Sequence, residues 1–258
     1  MLLPRVIPCL LLRGSGFYKT VKFKSPVYLG DPINILKIFN EKQVDEIIVL
    51  DIGATVSGLG PNFGLLRDFA SECFMPLTYG GGIASLEQAR DLFHLGLEKI
   101  CLNTAALTRP ELVAEIAKEF GSQSVVISID VKRKLFGGYE VVTRNGSKST
   151  GRDPVIMAQE MAACGAGEIL VNSVDRDGTM SGYDLDLVAA MARAVGLPVI
   201  ACGGAAGMAD FHRAIHEGGA SAVAGGSFFV FQGKKKGVLI SYPRPEEISG
   251  LAEPGIRK

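Results

Sequence analysis

The stretch Asp51-Ile52-Gly53-Ala54-Thr55-Val56-Ser57-Gly58 returns 124 residues later as Asp175-Arg176-Asp177-Gly178-Thr179-Met180-Ser181-Gly182. The same offset, within a residue or two, carries Gly81-Gly82 onto Gly203-Gly204 and Asn103-Thr104 onto Gly226-Ser227. A chain that repeats its strand-end chemistry once, at half its own length, reads as two fused copies of one half-unit. Repetition of this kind decides architecture before any single motif does. Each half holds four strand-then-helix units, so the repeat predicts an α/β fold, a closed (β/α)8 TIM barrel with a two-fold half-barrel repeat.

Outward from that repeat, the length agrees. The 258 residues are close to the roughly 250 of one such barrel. One domain is therefore expected over 1–258, with half-barrels at about 1–122 and 123–245. Strand signals run over 5–12, 46–52, 76–79, 99–102, 124–130, 168–172, 198–202 and 222–224. They alternate with helical patterns over 31–43, 62–73, 85–95, 108–119, 153–163, 184–194 and 208–217. Asp31-Pro32, Asp153-Pro154 and Thr108-Arg109-Pro110 read as helix entrances, with a capping side chain or a proline at the first turn. Near-continuous apolar runs such as Val125-Val126-Ile127 suit strands buried on both faces. Two connections exceed the minimum, Arg13 to Gly30 and Lys132 to Gly151. They occupy equivalent places in the halves, where long loops act as lids or substrate loops.

Composition narrows the functional classes. Hydrophobic residues are 47% and charged residues 21%, which describes an apolar-cored globular chain. The net charge is zero, which favours neither nucleic acid nor an acidic membrane surface. The cluster Lys234-Lys235-Lys236 reads as a solvated turn. No apolar run reaches the roughly 18 residues of a membrane span. Arg5 within the first strand argues against a secretory leader. The five cysteines, Cys9, Cys73, Cys101, Cys164 and Cys202, sit in apolar patterns without metal-binding spacing. They read as reduced thiols of a cytoplasmic protein, and no metal or cofactor is expected.

Several residues can carry chemistry. Gly80-Gly81-Gly82 after the third strand and Gly203-Gly204 after the seventh let backbone N–H groups approach an anion. A single pair would be read as a tight turn. Two symmetric pairs, near Asn103-Thr104 and Gly226-Ser227, point instead to a ligand with a phosphate at each end. Asp130, closing the fifth strand, is a general acid/base candidate whose alternative role is to orient Lys132 or the following loop. Its counterpart in the first half, 119 residues earlier, is Leu11, which cannot transfer a proton. Asp51, Asp175 and Asp177 either orient ligand hydroxyls or cap their own loops. Lys19, on the first long loop, either closes over an anionic ligand or is solvated. His94, His212 and His216 fall within helices, away from the strand ends.

Together these segments resemble the cyclase subunit of imidazole glycerol phosphate synthase. The resemblance runs from Arg5 to about Phe229 and rests on Gly30-Asp31-Pro32, Leu50-Asp51-Ile52, Gly80-Gly81-Gly82-Ile83 and Asn103-Thr104-Ala105-Ala106. Ser173-Val174-Asp175-Arg176-Asp177-Gly178-Thr179, Ser181-Gly182-Tyr183-Asp184 and Gly203-Gly204-Ala205 add to it. The resemblance implies a phosphate at both ends of the ligand, with Gly82, Asn103, Asp177, Gly204 and Ser227 at phosphate positions. It also implies a glutaminase partner at the N-terminal face of the barrel. There Arg5, Glu46, Lys99 and Glu168 match a four-charge gate for ammonia, whose alternative is a salt-bridge plug. The family segment reads Cys-Leu-Asp-Val where this chain has Leu11, so the second acid of the pair is missing. The loop around Lys19 and the tail Val238–Pro243 depart as well.

Those departures resemble a branch associated with surface-polysaccharide genes. In that branch the barrel and a glutaminase are thought to supply ammonia, with an ATP-dependent sugar amidotransferase as a further partner. Three readings follow. One is an ammonia-receiving barrel in nucleotide-sugar amidation. The second is a histidine-pathway cyclase with a relocated acid, and the third is a non-catalytic scaffold of the complex.

Overall fold

The computed structural model describes residues 4–233 and 235–253. Lys234 of the expected basic turn lies outside them, while Lys235 and Lys236 sit in an exposed turn between Phe231–Gln232 and Gly237–Val238.

Eight strands form the barrel. They are β1 (Arg5–Arg13), β2 (Ile47–Asp51), β3 (Leu77–Gly80), β4 (Lys99–Leu102), β5 (Val125–Arg133), β6 (Glu168–Ser173), β7 (Val199–Cys202) and β8 (Ala222–Gly225). Each pairs in parallel with the next, and β8 pairs with β1 to close the ring. Seven helices alternate with the strands outside it: α1 (Pro32–Glu41), α2 (Phe63–Glu72), α3 (Leu86–His94), α4 (Glu111–Phe120), α5 (Pro154–Ala163), α6 (Leu185–Ala194) and α7 (Met208–His216). Among the described residues no helix is long and apolar enough to cross a membrane.

The period of two along each strand sorts side chains into two cores. Ile7, Cys9, Ile48, Cys101, Val126, Leu170, Ile200, Cys202, Ala222 and Ala224 fill the barrel interior, with Leu50 packed against them. Their neighbours Val6, Leu10, Ile47, Val49, Ile100, Ile127 and Ile169 point the other way, into a continuous layer beneath the helices. This explains the unbroken apolar strands of the sequence, since both faces are dry.

Helix entrances follow the local signals with one exception. Asp31 accepts from Asn34 N–H at 3.0 Å, and Asp153 accepts from Val155 and Ile156 N–H at 2.8 and 3.2 Å. Thr108 does not cap α4. It ends a separate short helix, Thr104–Thr108, and its hydroxyl donates back to Thr104 O, while Pro110 takes the cap position without a side-chain bond. The helical pattern read as one element from 108 is therefore two.

The long connections are β-structured rather than open loops. After β1 the chain forms a hairpin, Gly16–Val21 with Lys24–Gly30, paired to β1 itself. After Asp130, β5 continues to Arg133 because it pairs antiparallel with Tyr139–Thr143, which pairs with Lys148–Ser149. These hairpins are called lid 1 and lid 2 below. Beyond β8, the tail packs back on the barrel through helix Pro245–Gly250 and through Tyr242, whose hydroxyl donates to Val6 O at 2.8 Å.

Two glycines show why the repeat is glycine-rich. A Cβ on Gly81 would sit 2.5 Å from Asp51 O, and one on Gly203 would sit 2.6 Å from Ser173 O. In both halves the turn after one strand presses on the end of the strand before it, so close packing demands glycine whatever else the turn does.

A graded cost follows. Gly204 has φ +110° and Gly182 O only 2.2 Å from a would-be Cβ, whereas Gly96 has φ +99° and open space. Gly96→Ala should cost about 1 kcal/mol of backbone strain. Gly204→Ala should cost roughly 2–4 kcal/mol, strain and clash together. Denaturant midpoints of the two variants check this, and equal losses would remove the packing argument.

Candidate active site at the C-terminal mouth of the barrel

The strands deliver their C-terminal ends to one cleft, of about 1080 Å³ including open solvent at its mouth. Cys9, Leu11, Leu50, Cys101, Ser128, Asn172 and Cys202 line its depth, below Gly80, Gly81, Gly82, Asn103 and Thr104. Asp130, on β5, lines it as well and is half-buried. Asn103 Nδ2 donates to Asp130 Oδ2 at 3.0 Å, and Asn172 Nδ2 donates to Asp130 Oδ1 at 3.4 Å. Burial pushes the Asp130 carboxyl up to about 7, against the opposing effect of these amides and with a further rise from Asp177. A carboxyl poised there can give or take a proton near neutral pH. It does not orient Lys132, whose ammonium donates to Gly146 O at 2.6 Å.

The register makes the walls of the cleft unlike. On β1 and β2 the registered pair is Leu11 opposite Leu50. On β5 and β6 it is Asp130 opposite Asn172. One wall is therefore hydrocarbon where its counterpart carries an acid and an amide.

The glycine turns also differ between halves. Gly81, Gly82, Asn103 and Thr104 are half-buried and face the cleft, and Gly82 N–H donates to Thr55 Oγ1 at 3.3 Å. Gly203, Gly204 and Ser227 are buried and do not line it, although Gly226 does. Gly203 packs against Ser173 and Asn172, and Gly204 against Gly182 and Arg176. Lid 1 reaches the second half at Asp177, with Lys19 Nζ 2.8 Å from Asp177 Oδ1, Thr20 Oγ1 donating to Asp177 Oδ2 at 3.2 Å, and Lys22 N–H donating to Asp177 O at 2.8 Å. The Lys19 side chain packs against Gly226. The structure thus joins Lys19 to Asp177 rather than leaving it solvated.

Lid 2 reaches the opposite way. Asn145 Nδ2 donates to Ile52 O at 2.7 Å, and Arg144 and Phe23 add to the lining of the cleft. Its base is held by Arg133, which pairs with Asp184, and by Asp175, which accepts from Arg133 N–H at 2.9 Å. Asp51 takes the loop-capping role, accepting from Gly53 and Ala54 N–H at 2.8 and 3.0 Å. Arg144, Asn145, Phe23, Thr55 and Asn172 carried no sequence signal of a site, since each is a common residue type brought in by a lid or by register. Among the described residues, no three His, Cys, Asp or Glu side chains are grouped to hold a metal ion. All five cysteines are free thiols.

At the other end of the barrel, four charges from the strand starts close a cycle. Arg5 pairs with Glu46 at 2.5 Å and with Glu168 at 3.1 Å, while Lys99 pairs with Glu46 at 3.1 Å and with Glu168 at 3.0 Å. Thr78 Oγ1 donates to Glu46 Oε1 at 3.0 Å. Burial alone would lower the Arg5 pKa, but Glu168 and Glu46 raise it above the usual value, so the guanidinium stays charged.

Comparison with known proteins agrees with this architecture. Residues 5–234 match a family described as histidine biosynthesis protein. A Pseudomonas aeruginosa protein, provisionally named imidazole glycerol phosphate synthase subunit hisF2, is 53% identical over 93% of this chain and 95% of its own. A Vibrio vulnificus protein, provisionally named subunit hisF3 of the same synthase, is 45% identical over 96% of this chain and 95% of its own. Imidazole glycerol phosphate synthase subunit HisF of Thermobifida fusca is 43% identical over 88% of this chain and 90% of its own.

The buried acid sets a measurable expectation. Both amides favour ionised Asp130, so Asn103→Leu should move its pKa from about 7 to a higher value. Carboxyl carbon chemical shifts across a pH titration report it directly. An Asp130 that titrates in the ordinary carboxylate range, near 4, would defeat the acid/base assignment.

Proposed function

The chain belongs to the histidine biosynthesis protein family, and we propose that it is a barrel of the imidazole glycerol phosphate synthase cyclase type that receives glutamine-derived ammonia from a glutaminase partner. The proposed destination of that ammonia is the amidation of a nucleotide sugar in surface-polysaccharide biosynthesis, with an ATP-dependent sugar amidotransferase as the further partner. The observation that carries this reading is a pairing of opposites. The four-charge ring at the N-terminal face is complete, while the acid/base pair at the C-terminal mouth has lost one member to Leu11.

The chemistry supports each step. Four charges gathered at the barrel floor cost desolvation energy that packed hydrocarbon would avoid. A gate that opens for ammonia gives that cost a use. Above the ring, the apolar interior from Ile7 and Ile48 to Ala222 and Ala224 suits neutral ammonia over ammonium, since a dry interior rejects the charge. At the mouth, the turns at Gly81–Gly82 and Gly203–Gly204, with Asn103, Thr104, Gly226 and Ser227, are assigned to the anionic ends of the ligand. Lys19 and Asp177 close over it. Asp130 serves as the remaining proton carrier. The reading takes the half-barrels as one domain, and free thiols at every cysteine fit a reducing, cytoplasmic setting.

A working histidine-pathway cyclase is the second reading, favoured by the intact cleft with Asp130 and Lys19. Two measurements separate the readings. Loss of one of two proton-transfer groups costs on the order of 10²–10⁴ in rate, so the unaltered chain should not rescue a histidine auxotroph, and Leu11→Asp should recover part of the cyclase rate. Near-normal turnover without that change would end the first reading. Lys99→Ala should uncouple glutamine hydrolysis from consumption of ammonia while the barrel stays folded. If the protein associates with no glutaminase encoded beside it and Lys99→Ala alters only stability, the ring is a plug.

A further inference from the structure

We propose that the outer rim of the two lids is the docking surface for the enzyme that uses the ammonia, a protein with an acidic face and an apolar socket for Leu135 and Phe136, seated over the mouth of the barrel. The proposal rests on the reading that ammonia reaches this mouth, and it names the contact made there.

The neutrality of the chain conceals an uneven distribution of charge. Of its 27 Lys and Arg and 27 Asp and Glu, the segments 13–30 and 132–151 hold nine of the former and a single Glu. The other 220 residues have 18 against 26, an excess of eight negative charges. Two of the lid cations are neutralised within the fold, Lys19 by Asp177 and Arg133 by Asp184. Arg13, Lys22, Lys24, Lys134 and Lys148 are exposed, and among the described residues no ion pair reaches them. A surface of one sign draws in an oppositely charged one and orients its approach. The occupant that complements this rim is acidic.

The apolar part of the surface lies on the same lids. At the tip of lid 2, Leu135 and Phe136 are 92% and 98% exposed. They belong to a closed turn, in which Lys134 N–H donates to Gly138 O at 3.0 Å and Gly137 N–H donates to Lys134 O at 3.2 Å. Two large apolar side chains held in water by a formed turn are a preorganised anchor. On lid 1, Val21, Val27 and Tyr28 are exposed as well. One loop brings the lids together, since Asp175 accepts from Arg133 N–H at 2.9 Å and Asp177 O accepts from Lys22 N–H at 2.8 Å. The last strand of lid 1, Lys24–Gly30, pairs only with Gly16–Val21. Its outer edge keeps backbone donors and acceptors that a protein satisfies and lipid hydrocarbon does not. That favours a protein over a membrane. The position over the mouth has a chemical use, because ammonia that meets bulk water at neutral pH is protonated and ceases to be a nucleophile.

The test uses the whole chain with its glutaminase, and the ATP-dependent sugar amidotransferase of the same organism as the probe. The unaltered chain should bind the amidotransferase, with faster association at low salt. Leu135→Ser combined with Phe136→Ser should weaken binding roughly 30-fold or more, the scale of central interface anchors. Phe136→Leu alone should keep most of the affinity. Lys24→Glu combined with Lys134→Glu should slow association about tenfold at low salt and less at high salt. Every altered side chain is exposed, so thermal midpoints should not move. In turnover, the serine pair should still hydrolyse glutamine but release the ammonia to solution. No binding by the unaltered chain, or binding that both paired variants leave intact, overturns the docking surface. So does capture of phosphatidylglycerol vesicles, or self-association, that appears in place of amidotransferase binding and is abolished by the same variants. The gate at the barrel floor is judged apart from these results, through Lys99→Ala.

Discussion

Closure of the strand ring is the constraint on which everything else depends. Once β8 pairs with β1 and β5 with β6, the ring of barrel strands has no open edge. Strand alternation then has only two destinations, the axis and the helical layer. That is why Ile7 and Cys9 meet Cys202 across the interior while Val6 and Leu10 meet the helices. The same closure gathers strand starts at one end and strand ends at the other. Charges a hundred residues apart become neighbours without any loop having to carry them.

The two ends use that geometry in opposite ways. At the floor, two cations and two carboxylates alternate around a cycle, so each charge has two partners and none is stranded. Mutual satisfaction of this kind is what makes buried charge tolerable, although it gives no net gain over hydrocarbon. At the mouth, Asp130 has amide donors but, among the described residues, no ion-pair partner, and burial raises its pKa. A carboxyl kept near its titration point is a poor stabilising element and a useful chemical one.

Duplication and divergence are both visible in the lids. Each arises at the same place in its half, yet lid 1 ties to Asp177 of the second half and lid 2 to Ile52 of the first. Each half is thereby covered by the other, and the cleft belongs to neither alone. The symmetry is broken at the walls of the cleft. The pair Leu11 and Leu50 stands where the other half has Asp130 and Asn172. With one wall unable to ionise, the site has a direction, and a ligand is expected to enter it one way round.

The repeat of strand-end segments was enough, on sequence alone, to determine the barrel, because spacing and hydrophobic period are local properties. The helix entrances at Asp31 and Asp153 were legible for the same reason, as were the strand-end positions of Asp130 and Leu11, whereas the four ring charges were expected only from the resemblance to a family. Other features depended on partners far along the chain. The loops after β1 and β5 proved to be hairpins because they extend barrel strands already held in the ring. Thr108 failed as a cap because Thr104–Thr108 folded as its own turn of helix. Lys19, ambiguous in the sequence, became the partner of Asp177 only when lid 1 crossed 158 positions of sequence separation to reach it. Asn172 looked like one more strand residue until the register set it opposite Asp130 and its oxygen was left without a donor. Sequence pattern fixes which face of an element is buried, but only the closed ring decides which faces meet.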